Sequence, residues 1–116
     1  MIQRFDTGTR MSEMAVHNGI AYLAGQVATD TTQGIEGQTQ QILKAIDALL
    51  DRAGSRKTCL LMVQIFLPNL DDFDGMNRVW EEWIPAGHSP ARATVQAKLM
   101  RPDWKIEVVA TAAVDP

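Results

Sequence analysis

Cysteine is nearly absent from this chain. Cys59 is the single one in 116 residues, so no internal disulfide can form. No second Cys or His stands at metal-ligand spacing around it, which leaves a zinc-type site without donors and points to a reducing compartment. Positive charge is also scarce: 11 Lys and Arg against 14 Asp and Glu give a formal charge of −3 and a pI near 5.2. The bases are scattered with no basic run, so the dense positive patch that phosphate binding needs is missing and nucleic acid is disfavoured as a partner. Long apolar runs are missing too. No segment approaches the ~18 apolar residues of a membrane span, and the N-terminal "MIQRFDTGTRMSEMAV" carries charge where a signal peptide needs an apolar core. The expectation is a cytoplasmic protein with no membrane partner.

What is present suits one compact domain over residues 1–116, with 46% hydrophobic residues and no linker, repeat or low-complexity tract. A chain this short buries only ~65% of its unfolded surface, so its core is thin and self-association would help it.

Local patterns predict the elements. "IQRF" is short and β-like. Asn18-Gly19 separates two apolar runs and is the strongest short hairpin signal, giving strands at about 12–17 and 20–25. "TDTTQGIEG" has turn residues and no periodicity, and reads as a loop. From about Gln38 to Ala53, Ile42, Leu43, Ile46, Leu49 and Leu50 recur at spacings of three and four, an amphipathic helix stopped by Gly54. "CLLMVQIFL" is a buried strand closed by Pro68. A second helix follows, capped by Asn69 or Asp71, with Phe73, Met76, Trp80 and Trp83 on one stripe and Pro85-Ala86-Gly87 at its end. Strands at about 91–99 and 104–113 then read as a hairpin turning at "MRPD".

The order β, β, β, α, β, α, β, β implies an α+β fold, a mixed six-stranded sheet with two helices packed on one face. In the 91–99 strand Ala93, Val95, Ala97 and Leu99 alternate with Arg92, Thr94, Gln96 and Lys98. The apolar set is expected to face the helices, which turns Arg92 away from them. A hairpin pairing Leu99 with Trp104 sets Gln96 opposite Glu107 and Arg92 opposite Thr111, leaving Arg92 and Glu107 ~13 Å apart at ~3.3 Å per residue. Such a pair is either part of a solvated face or a cleft with a carboxylate-gripping Arg and an acid/base Glu.

The stretch "SPARATVQAKLMRPDWKIEVVATA", with "GQVA" upstream and "FDGMNRVWEEW" between, resembles the Rid family of reactive intermediate deaminases, formerly YjgF, and most of all a short-chain subgroup with "AGH.P.R.TVQA.LM". The likeness runs from about Val16 to Ala113. It implies a chorismate-mutase-like fold assembled as a homotrimer, with clefts between subunits. It also implies hydrolysis of 2-imino acids and enamines of the 2-iminobutanoate/2-iminopropanoate type to 2-oxo acids and ammonia, without metal or organic cofactor. Arg92 matches the family Arg that holds the substrate carboxylate, and Glu107 the acid that orients or activates water. Gly25 matches the cleft glycine, and Asn77 the Asn on the second helix. The chain departs at three places: Ala24 stands where a Ser or Thr is usual, Met11 where a cleft Tyr is found, and Thr94 where Cys is frequent. Fewer polar groups at the substrate end imply a more apolar imine, or a non-catalytic binder of 2-oxo and other small carboxylic acids that uses the same Arg92 cleft.

His88, four residues before Arg92, is the one group of its loop that titrates near neutrality and joins the candidates. A solvated loop position is its simpler reading, and His17 is read as inert. Trp80 and Trp83 read as packing before ligand platforms, and Cys59 as structural.

Overall fold

The structure, a computed structural model, describes residues 1–114. Six strands form one sheet: β1 (Gln3–Phe5), β2 (Met14–His17), β3 (Ile20–Leu23), β4 (Leu60–Leu67), β5 (Ala91–Gln96) and β6 (Glu107–Ala113), with helices α1 (Ile35–Arg52) and α2 (Phe73–Trp83) between β3 and β5. The order across the sheet is β1-β2-β3-β6-β4-β5. Only β4 and β5 run parallel; every other pairing is antiparallel. The fold is α+β with a mixed six-stranded sheet, as the element order implies.

Asn18 and Gly19 both take left-handed backbone angles, φ 51° and 76°, the geometry a two-residue hairpin turn demands. β2 and β3 accordingly pair from His17–Ile20 to Met14–Leu23. α1 buries Ile42, Leu43, Ile46, Leu49 and Leu50, the stripe read from the sequence, but it begins at Ile35, inside the segment read as a loop. Ile35 packs on the core and Glu36 in the first turn both suits the helix dipole and pairs with Arg78 of α2 at 2.7 Å. These contacts extend the helix into a polar stretch that has no period of its own. Asn69 caps a short 3-10 turn, Leu70–Asp72, by accepting from the Asp71 N–H at 2.9 Å, and that turn leads into α2.

The expected hairpin between the last two strands does not form. β4 lies between them: β5 pairs with β4 on one side and β6 on the other. β4, α2 and β5 make a parallel crossover unit, and β6 returns to fill the place between β3 and β4, where antiparallel partners flank it on both sides. β5 is therefore an edge strand that ends at Gln96, and residues 97–106 cross the end of β4.

The face assignment of β5 is reversed as well. Residues opposite each other on neighbouring strands share a face. Arg92 lies opposite Val63 and Thr94 opposite Ile65, both buried under the helices, whereas Val95 lies opposite Phe66 on the open face. Arg92 thus points toward the helical layer, and its guanidinium carbon sits 5.3 Å from the centre of the Trp80 ring on α2. An Arg stem can cover apolar surface while its head stays polar. The open face itself carries exposed apolar side chains, with Tyr22 52% and Val95 49% exposed. Apolar residues in β5 therefore do not mark the helix-covered side.

One buried polar residue ties the crossing segment down. Gln38 of α1 has no exposed surface; its amide donates to the carbonyls of Gln33 (3.0 Å) and Asp103 (3.1 Å), while its oxygen accepts from the Lys105 N–H at 2.9 Å. That clamp holds the backbone two residues before β6 begins.

Candidate functional site

Two groups of candidate residues emerge, on opposite faces of the sheet. The first lies along β5 and the flank of α2 that covers it. Arg92 is half-buried and, among the described residues, the ion pairs join Arg52 to Asp6, Arg78 to Glu36 and Arg101 to Asp103, none of them reaching Arg92. Burial pushes its pKa below the usual guanidinium value, an effect Glu81 partly offsets; the group stays charged at neutral pH. A cation over an aromatic face within ~6 Å is attracted by the ring quadrupole, so Trp80 both supports and orients the guanidinium.

Two residues along the same face, Thr94 has a buried hydroxyl without a hydrogen-bond partner. It lines a cavity of about 280 Å³ with Leu67, Leu70, Phe73, Val95 and Gln96. Phe73 and Trp80 face the Thr94 and Arg92 ends of β5 respectively. Asn77, half-buried and four residues from Phe73, falls on the same α2 flank between them. His88 is exposed in the turn before β5, its Nδ1 3.1 Å from the Ala86 carbonyl oxygen.

The second group surrounds Glu107, the first residue of β6. Glu107 is opposite Phe66 on β4, three residues along from Val63, so it stands on the face opposite to Arg92. The two are not members of one intrachain cleft, which corrects the pairing expected from a hairpin. Gly25 is its close neighbour: a methyl group on Gly25 would overlap the Glu107 carboxylate. A bulge produces this approach. Tyr22 is opposite Thr111 and Gln26 opposite Val108, so the chain past β3 spends one more residue than β6 does over that stretch. Gln26 pins the bulge with backbone bonds to Val108 (2.8 and 3.1 Å) and a side-chain amide that donates to the Ala24 carbonyl and to Glu13. Ala24 bonds through its N–H to the Glu13 carbonyl at 2.9 Å, and Met11, two residues before Glu13, is half exposed on the same loop. The structure thus brings Gly25, Ala24 and Glu107 together, and separately Arg92, Thr94 and Asn77.

Sequence reasoning missed Gln26, Gln38 and the role of Phe73 as a cavity wall. Gln38 offered one signal: it stands four residues before Ile42, on the buried stripe, where a polar side chain needs partners. No group of three or more His, Cys, Asp or Glu among the described residues is placed to hold a metal ion, and no helix among them is long and apolar enough to cross a membrane.

A small α+β domain with a bulge-held glycine against a glutamate, and an unpaired arginine on an edge strand, defines a class that comparison makes specific. A family model described as "Endoribonuclease L-PSP" matches residues 1–114. A RutC family protein of Haemophilus ducreyi is 45% identical over 99% of this chain and 98% of its own length, and the RutC family protein YoaB of Escherichia coli is 42% identical over 97% and 98%. Among solved structures, NMB1025 of Neisseria meningitidis, a member of the YjgF protein family, superposes with a TM-score of 0.95 at 38% identity, covering 100% of this chain and 97% of that one. An uncharacterized protein of Pseudomonas aeruginosa does so with a TM-score of 0.97 at 42% identity, over 99% and 100%. The chain belongs to the YjgF/Rid superfamily.

Proposed function

We propose that this protein hydrolyses reactive 2-imino acids and their enamine tautomers to 2-oxo acids and ammonia, in clefts between the subunits of a homotrimer. Residues 1–116 then form one Rid-type domain that acts in the cytoplasm without metal or organic cofactor. The observation that carries the reading is Arg92: half-buried, outside every ion pair found among the described residues, braced by Trp80 and followed on the same face by the unpaired Thr94 hydroxyl. A forked guanidinium suits a planar carboxylate in a way a lysine does not.

Glu107 supplies the acid/base group. It takes a proton from water as the oxygen attacks the carbon of the protonated imine, returns that proton to the nitrogen of the carbinolamine, and takes the hydroxyl proton as the C–N bond breaks, the carbonyl forms and ammonia leaves. Imines hydrolyse unaided, so ~10²-fold acid/base assistance suffices. Because Arg92 and Glu107 occupy opposite faces of one sheet, a small substrate meets both only where two copies adjoin. The exposed apolar residues of the open face give such copies a surface to bury.

The test is to generate imino acids with an amino-acid oxidase and follow their decay. Acceleration over buffer is expected; none across several side chains overturns the proposal. Ala24, which brings no hydroxyl to the Gly25–Glu107 corner, favours a second reading, a carboxylate-binding protein without turnover. A thermal shift with 2-oxobutanoate or benzoate that vanishes in Arg92→Ala, together with no hydrolysis, selects it. The RNA activity in the family model's description is not carried over, since three arginines are already paired with acids and the net charge is −3.

Gly25→Ala probes the Glu107 corner. Gly25 does not have a positive φ, so alanine is conformationally acceptable, and the group it strikes is the mobile end of a side chain. The expected result is a thermal midpoint within a few degrees of wild type but a ~10²-fold fall in turnover, since displacing a catalytic group by ~1 Å has that effect.

A further inference from the structure

We infer that the cavity beside Thr94 receives the ligand's side chain, so that the preferred substrates are 2-imino acids with branched aliphatic or benzyl side chains, larger than 2-iminopropanoate. This rests on the imine-handling reading above and adds the substrate class to it.

Three observations converge. Arg92 and Thr94 share one face of β5 two residues apart, ~7 Å at the strand rise. A carboxylate held at Arg92 and a side chain seated in the cavity would therefore lie along the same face of one strand. The cavity has about 280 Å³ of space, and a cavity of ~150 Å³ already accepts a benzene ring. Its walls leave the large apolar side chains Leu70 and Phe73 61% and 42% exposed.

The polar inventory is equally selective. Of the lining side chains, Gln96 already donates its amide to the Pro68 carbonyl at 3.2 Å, and Thr94 alone has an unpaired buried hydroxyl. A buried hydroxyl without a partner is costly and calls for one. Turned toward the cavity by a χ1 rotation, it donates to the second oxygen of the ligand carboxylate. The exposed Gln96 is then the one lining side chain with hydrogen-bonding capacity left, which disfavours imines derived from acidic amino acids.

The experiment measures kcat/KM for the imines made from leucine and alanine by an amino-acid oxidase, in wild type and in Phe73→Trp, Phe73→Ala and Thr94→Val. Wild type is expected to favour the leucine-derived imine by at least about tenfold, the lower end of what a methylene in an apolar pocket gives. Phe73→Trp, which fills the cavity, should bring that ratio to one or below, and Phe73→Ala, which cannot overpack, should also lower it. Thr94→Val should raise the thermal midpoint of the free protein while weakening 4-methyl-2-oxopentanoate binding about tenfold. A purely structural threonine does not produce both changes. If imines are hydrolysed in an Arg92-dependent way but the ratio is near one, or is unmoved by both Phe73 variants, the cavity assignment is overturned and the imine reading stands. If no imine is hydrolysed and no 2-oxo acid binds, both fall.

Discussion

Replacing Arg92 by alanine should lower kcat/KM for 2-imino acids by roughly 30- to 1,000-fold while the protein stays folded. The range corresponds to about 2–4 kcal/mol for a lost charge-assisted contact to a carboxylate. The structural loss is smaller, because Arg92 takes part in no ion pair found among the described residues and its main support is the Trp80 face, worth ~0.5–1 kcal/mol. Arg92→Lys should recover only part of the loss, since an ammonium on a flexible stem keeps the charge without the fork. Steady-state rates with enzymatically generated imines, read beside thermal midpoints, separate the two effects. Equal rates for wild type and Arg92→Ala would remove the arginine from the site.

The largest effect on stability is expected at Gln38. Gln38→Leu keeps the size of the side chain but strips partners from the carbonyls of Gln33 and Asp103 and from the Lys105 N–H. Leaving such groups unpaired costs ~1–3 kcal/mol where water cannot replace the partner, so a total of ~2–4 kcal/mol is expected from urea or thermal unfolding. The segment so released runs directly into Glu107, and turnover should fall with stability. Gln38→Glu is the discriminating control: it can still accept from Lys105 but sets a carboxylate against the Gln33 and Asp103 carbonyls, and it should be no better than leucine. If Gln38→Leu unfolds like wild type, the clamp has no energetic role.

Much of this molecule could be read from its residues, and the failures have a physical pattern. The α1 stripe and the Asn18-Gly19 turn were legible because their signals are local: a period of three to four and a pair of left-handed residues. The partner of β5 was not legible. Proximity in sequence favoured a hairpin with β6, while β4, which lies far upstream, takes both strands as neighbours. Binary patterning failed in β5 for a related reason, since it presumes one dry face and one wet face. Here the face away from the helices carries exposed apolar side chains as well, and Arg92 and Thr94 lie on the helical side. Arg92, Glu107 and His88 stood out by residue type and position, whereas the roles of Gly25, Asn77, Ala24, Met11 and Thr94 came from motif resemblance. Their division between two faces, and the cavity beside Thr94, required coordinates.

The most direct measurement mixes two crippled variants, Arg92→Ala and Glu107→Gln, each purified, unfolded together in equal amounts and refolded. With Arg92 taken from one subunit and Glu107 from its neighbour, random assembly restores about one quarter of the clefts, and that fraction of wild-type imine hydrolysis should return. If the mixture is no more active than the average of its two parents, each active centre is built within a single chain, and the division of labour between two protomers is wrong.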